Sequence, residues 1–188
     1  MILNNEDLEL LDIINESDIV LDSKPRTLIH KEGLLHREVH VWFFDEDKNI
    51  FFQKRGLEKS SAGLLDATVG GHVDKGEDYL DAAVREAKEE TGISFDKSDL
   101  ILLRKFRNTW KNEHKNIINN FIRAIFIYKN PIKESDIKKE LEVLGVGFEK
   151  FYVDQFMTLK DSGKALFDEY ILTDEVPEVI RYINSIEL

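Results

Sequence analysis

Residues 71–93 read GHVDKGEDYLDAAVREAKEETGI, and this stretch decides how the rest of the chain is read. It carries Gly71, Glu77, Arg85, Glu86, Glu89, Glu90 and Gly92 at fixed offsets. Glu86, Glu89 and Glu90 stand at i, i+3 and i+4, so a helix places them on one face. Like charges crowded this way cost stability unless a cation neutralises them. A hard divalent ion, Mg2+ or Mn2+, takes carboxylate oxygens and meets that need. At about 100° per residue, Leu80, Ala83, Val84 and Ala87 gather into an apolar stripe beside the acids. The spacing predicts a helix lying on a sheet by that stripe, with its acids along the rim of a cleft. Gly92 is suited to the left-handed conformation that ends a helix. Gly70, Gly71 and Gly76 mark the preceding loop, where backbone needs positive φ or close approach to a ligand. A metal on a helix after a glycine-rich loop suits phosphate chemistry.

An acidic cluster alone is more often a solvated face, here paired with Arg85 and Lys88. The complete pattern alters that balance, because seven fixed identities at set spacing arise by chance at about 10⁻⁷ per start position in a Glu-rich chain. The stretch resembles the Nudix box: Gly, five residues, Glu, seven residues, Arg-Glu, an aliphatic, any residue, Glu-Glu, any residue, Gly, an aliphatic. Every position is met, from Gly71 to Ile93, with Ala87 small for the first aliphatic slot. The resemblance implies an α/β fold: an α/β/α sandwich with a mixed central sheet, its metal-binding helix following a glycine-rich loop. It implies Mg2+ or Mn2+ held by Glu86, Glu89 and Glu90, with the Gly71 carbonyl completing the sphere. Arg85 then orients a neighbouring glutamate, and Glu77 supports the loop or binds metal through water. The general base is Glu86 or an acid outside the box, with Glu113, Glu140 and Glu142 as candidates. Lys54, Arg55 and Lys59 follow a strand aimed at the site and are candidates for contacting substrate phosphates. Trp42 and Trp110 either stack a base or pack in the core.

The resemblance extends upstream, from about residue 8, through His36–Trp42, Gln53–Arg55 and Asp66–Val73. There it is similar to the branch that includes isopentenyl-diphosphate isomerase. His36 and His72 match metal-site histidines of that isomerase. Three departures are visible. Ala62-Gly63-Leu64-Leu65 stands where the branch often has Pro-Gly-x-Trp. Gly70 stands where the isomerase needs a cysteine, and the chain has no cysteine at all. Ile118-Asn119-Asn120-Phe121 lacks the isomerase's Glu-x-Glu. The expected reaction is therefore hydrolysis of a pyrophosphate bond in a nucleoside diphosphate linked to another moiety. Isomerase chemistry and a non-catalytic nucleotide-binding module are the alternatives.

Composition bounds the rest. A chain of 188 residues suits a single domain with a sizeable core, with residues 1–35 as an N-terminal extension and 130–188 as a C-terminal strand and helices. The net charge of −11 argues against general nucleic-acid or membrane-surface binding. A small anionic diphosphate remains compatible, because a bound metal inverts the local field. Without cysteine there is no disulfide or thiolate site. An acidic N-terminus and the lack of any membrane-length apolar run make the cytoplasm the expected location. A homodimer is expected only because family members often pair.

Residues 8–23 read either as a short helix, with Leu8, Leu11 and Ile14 behind an Asn5 cap, or as a hairpin turning at Asn15–Asp18, which the β-formers Ile19, Val20 and Leu21 favour. Strands are predicted at 38–45 and 49–54, paired around Asp45–Lys48. Further strands are predicted at 99–108, 119–129 and 147–153, and helices at 154–160 and 176–186. Residues 133–145 are charged and receive no assignment.

Overall fold

In chain order the elements are β1 (Leu10–Ile14), β2 (Val20–Pro25), α1 (Arg26–Glu32), β3 (Leu35–Trp42), β4 (Asn49–Lys54), β5 (Leu65–Asp66), β6 (Val69–His72), α2 (Tyr79–Thr91), β7 (Leu100–Asn112), β8 (Ile117–Tyr128), β9 (Gly147–Tyr152) and α3 (Val176–Ser185). The computed structural model describes residues 9–56, 61–113, 116–137, 147–158, 161–168 and 170–187. A four-stranded mixed sheet, ordered β6-β3-β8-β7, lies at the centre, with β3 parallel to β8 and the other pairs antiparallel. A three-stranded antiparallel sheet, β5-β4-β9, stands beside it, and β1-β2 form a separate hairpin.

The central strands are buried on both faces, which is why VHVWFF and FIRAIFI read as nearly continuous apolar runs. Alternation assigns the faces. Val39, Val41, Ala124 and Phe126 pack with Ala82, Ala83 and Ala87 of α2. Trp42, Ile125 and Ile127 pack with Val179 and Ile183 of α3. This is the expected α/β/α arrangement. The buried face of α2 is centred slightly differently from the predicted stripe. Ala82 is fully buried, whereas Leu80 and Val84 sit at its margin. Three alanines let the helix backbone approach the sheet closely and bring its acids toward the sheet edge.

Of the ends of α2, the sequence pointed to the Gly92 stop but not to the N-terminal cap. Asp78 caps its N-terminus by accepting from Asp81 N (2.8 Å). Gly92 ends it at φ 70°, donating to Lys88 O. The hairpin also forms, between Leu10–Ile14 and Val20–Pro25; residue 8 lies outside the described residues.

Four expectations change. Strands β3 and β4 meet only beside their turn, where Asp45 Oδ1 accepts from Asp47 N and Asn49 N. Beyond it they enter different sheets, because both edges of β3 are already taken by β6 and β8. Helix α1 falls in a segment given no helix by pattern, since its seven residues bury only Ile29. Residues Val153–Thr158 are a 3₁₀ segment rather than an α-helix, and β9 ends at Tyr152. Gly70 and Gly71 lie within β6, so Gly76 alone of the three has positive φ (79°).

Candidate active site

Arg85 organises the acids of the box helix. Its Nη1 donates to Glu86 Oε1 (2.8 Å) and, more weakly, to Glu89 Oε2 (3.3 Å). Its Nη2 donates to Glu77 Oε2 (2.9 Å) and to the His72 carbonyl (3.0 Å). One planar fork therefore ties the helix to the loop and to the end of β6. Glu77 spends its carboxylate on Arg85 and on Asp74 N (3.2 Å), which makes it a loop brace.

The three acids differ in setting. Glu89 is 58% exposed at its side chain, and Glu86 only 15%. Burial pushes Glu86 up to about 7 despite Arg85 beside it, and Glu89 adds to the rise. Burial and then the Glu86 charge push Glu90 up to about 8, opposed by the N–H of Gly70 (3.2 Å) and by Gln53 Nε2 (3.1 Å). Such carboxylates favour any cation that shares them. A Cβ on Gly71 would stand 2.1 Å from the Glu86 carboxyl, so that acid lies directly against bare backbone. Half-buried carboxylates beside an open peptide group fit a hard divalent ion, the Mg2+ or Mn2+ expected from the sequence.

These acids form one wall of a cleft of about 1340 Å³. Arg55 lines it and is ion-paired with Asp66. Lys54, one residue earlier on β4, is half-buried and does not line it. Lys59 lies outside the described residues, as do Glu140 and Glu142. Glu113 is exposed and does not line the cleft. The two tryptophans separate cleanly. Trp42 is fully buried and donates its Nε1–H to Glu175 (3.0 Å), whereas Trp110 lines the cleft and is half-buried.

A second cluster adjoins the first. His30, His36 and His72 hold ring nitrogens within 4.8 Å of one another. His36 and His72 were singled out by resemblance. His30 was missed, because it rides on the unpredicted α1. The one available signal was a third histidine six residues before His36. His36 Nδ1 bonds the Leu34 carbonyl (3.0 Å), which leaves a buried Nε2 with no partner among the described residues. Burial first, then the charges of His36 and Arg26, lowers His30 to about 4. Burial also holds His72 well below its ordinary value. With the charged form of His30 and His72 disfavoured, their rings offer lone pairs beside His36 Nε2, a donor set suited to a transition ion.

Glu38 Oε1 lies 3.8 Å from His36 Nε2 and 3.7 Å from His72 Nε2, and accepts from Asn119 Nδ2 (2.8 Å). Burial disfavours its charge, yet Arg123 keeps Glu38 well below the usual carboxylate range. Arg123 bonds Glu38 (2.6 Å) and Glu175 (3.0 Å), and Glu175 also meets His40 Nδ1 (2.9 Å). Glu175 reaches this network from a π-helical turn, Ile171–Glu175, just before α3.

A family profile for the NUDIX domain matches residues 34–170, most of the chain. The chain belongs to the Nudix family. The Nudix hydrolase CA_C0446 of Clostridium acetobutylicum is 33% identical over 159 residues, 82% of this chain and 75% of that one. The Nudix hydrolase all7351 of Nostoc sp. is 37% identical over 100 residues, 52% of this chain and 59% of its relative. An isopentenyl-diphosphate Delta-isomerase of Serratia proteamaculans is also 37% identical, over 87 residues, and the chain spans about half its length (49%). Among solved structures, DR0079 from Deinococcus radiodurans superposes with a TM-score of 0.64 at 21% identity, covering 91% of this chain and 99% of that one, which supports the Nudix fold alone. Among the described residues, no helix is long and apolar enough to cross a membrane.

Proposed function

We propose that this protein is a metal-dependent hydrolase that cleaves the pyrophosphate bond of a nucleoside diphosphate linked to another moiety. The observation that carries the reading is the convergence of Glu86 and Glu90, two half-buried carboxylates with raised affinity for a proton, on the bare backbone of Gly70 and Gly71. Glu86, Glu89 and Glu90 would hold Mg2+ or Mn2+, with the Gly71 carbonyl as a further oxygen ligand. When bound, such an ion supplies neutralisation of phosphate oxygens and a more acidic water. Arg85 fixes the Glu86 carboxylate through a charged hydrogen bond, so little reorganisation is needed at the moment of reaction. Gln53 and Gly70 N–H hold one oxygen of Glu90, leaving the other for the ion. Glu86 is the general-base candidate that lines the cleft, and Arg55 is the candidate phosphate contact that does so.

The histidine cluster favours a second reading, isomerase-type chemistry, because of its likeness to the isomerase metal site. The missing cysteine and Asn119 in place of an acid weigh against it. The test is a phosphate-release assay with Mg2+ across nucleoside diphosphate derivatives, run beside conversion of isopentenyl diphosphate. Replacing Glu89 or Glu90 by Gln should slow hydrolysis by about 10²-fold or more. Unchanged turnover in both variants would remove the box acids from the reaction, and isomerisation without hydrolysis would select the second reading.

A further inference from the structure

The metal acids occupy one wall of the cleft; another wall is the distal end of the β7–β8 hairpin. These strands run for 13 and 12 residues, whereas β3 has eight. Pairing of β3 with β8 starts at Leu35↔Asn120, so Ile117–Asn119 project past the end of β3 with β7 as their ladder partner. Along this end of β7 the faces alternate. Arg107 and Lys105 point outward and pair with Glu16 and Asp18 of the β1–β2 turn. Asn108, Trp110 and Asn112 are half-buried and line the cleft.

That inner face is unusual for a strand. Asparagine is depleted in strands, and a packed face calls for aliphatic residues. Two amides flanking one indole suit a wet, recognising surface. Trp110 is also unlike Trp42, whose ring packs edge-on against Phe52 and whose N–H is bonded to Glu175. Among the described residues, no ring, cation or hydrogen-bond acceptor meets the indole of Trp110. Beside it, Asn108 Oδ1 accepts from Thr109 N (2.7 Å), so its amide N–H₂ is the group it can offer. A half-buried indole with no ring or cation against it among the described residues, flanked by amides and lining the same cleft as the box acids, matches a planar heterocycle with hydrogen-bonding edges.

We propose that Trp110 is the stacking platform for the nucleobase of the substrate, with Asn108 and Asn112 at the edge of the base. This rests on the hydrolase reading for the position of the diphosphate, but it names a specificity residue and the group it selects. Because every base presents a π-face, the platform favours a heteroaromatic base over none and discriminates weakly among bases.

The test uses the intact protein and three probes: adenosine 5′-monophosphate, cytidine 5′-monophosphate and ribose 5-phosphate. Both nucleotides should quench tryptophan emission saturably, and ribose 5-phosphate should not. The quench should vanish in Trp110→Phe, which removes the fluorophore but keeps a ring, while affinity by calorimetry stays within a few-fold. Trp110→Leu should weaken nucleotide binding by about 5-fold or more, and raise KM for a cleaved nucleoside diphosphate derivative by a similar factor with kcat little changed. Equal affinity for ribose 5-phosphate and the nucleotides, or a quench that persists in Trp110→Phe, would overturn the assignment. So would unaltered binding and KM in Trp110→Leu. Quenching without any phosphate-bond cleavage would sink the hydrolase reading and leave the platform standing; cleavage with KM indifferent to Trp110→Leu would do the reverse.

Discussion

Glu90→Gln should make the metal-free protein more stable while disabling it, and the two effects can be measured separately. Glu90 titrates near pH 8 in the folded state, against an ordinary 4.5, chiefly through burial and then the Glu86 charge. Between those values the folded chain holds more protons than the unfolded chain, so stability falls as pH rises. By linkage the carboxyl costs about 1 kcal/mol at pH 5 and about 3 kcal/mol at pH 7, with most of the further loss complete near pH 8. Glutamine keeps the oxygen that accepts from Gly70 N and Gln53 Nε2 but carries no charge. With the chelator-treated protein at pH 7, the variant should melt about 5–10 °C higher, and the gain should shrink toward pH 5. Added Mg2+ should raise the melting point of the wild type, more at pH 8 than at pH 6, and should barely move the variant. Hydrolysis should fall by about 10²-fold or more. A variant that melts lower than the wild type without metal, or gains equally at pH 5 and pH 7, would show that Glu90 is not an unfavourably buried acid, and the metal assignment would lose its physical basis.

Three further perturbations probe neighbouring parts. Gly71→Ala puts a Cβ 2.1 Å from the Glu86 carboxyl, so that acid must swing away; Mg2+ titration should show at least a tenfold weaker apparent affinity with far-ultraviolet circular dichroism preserved. Arg85→Ala removes the fork joining Glu77, Glu86 and the His72 carbonyl, and kcat should fall about 10²-fold, with Arg85→Lys recovering little because a point charge cannot span three acceptors. Arg123→Met strands the buried Glu38 and Glu175, so urea denaturation should show a loss of about 3–5 kcal/mol at pH 7. That loss should lessen as pH falls through the range where the two acids protonate, because both are held below their ordinary values in the native protein.

How much of this was visible in the sequence depends on the range of the interaction. The α2 helix was legible because its constraints are local: Gly92 ends it, and the i, i+3, i+4 spacing puts Glu86, Glu89 and Glu90 on one face. The turn at Asp45–Lys48 was legible for the same reason, but it fixes only that two strands meet there. Which strands border β3 is decided by residues 69–72 and 120–127, far along the chain. The Glu38–Arg123–Glu175 network joins three distant segments, and each member alone reads as a surface charge. His30 was hidden by its helix, whose seven residues are too few for a periodic signal.

The glycines of β6 explain why two ligand-like clusters can share one cleft. In the sequence, Gly70-Gly71 signals close approach without saying to what. In the structure the two residues serve opposite faces of one strand. A Cβ at Gly71 would collide with Glu86, and a Cβ at Gly70 would stand 2.9 Å from the ring of His40. His40 in turn holds Glu175, the far partner of Arg123 and, through it, of Glu38 beside the histidines. A side chain at either glycine would push one wall outward: at position 71 the box acids, at position 70 the buried network beneath the histidine cluster. Bare backbone at both positions is therefore the condition under which a carboxylate site and an imidazole site can line the same cleft, and it accounts for a strand of low intrinsic β-propensity at the sheet edge.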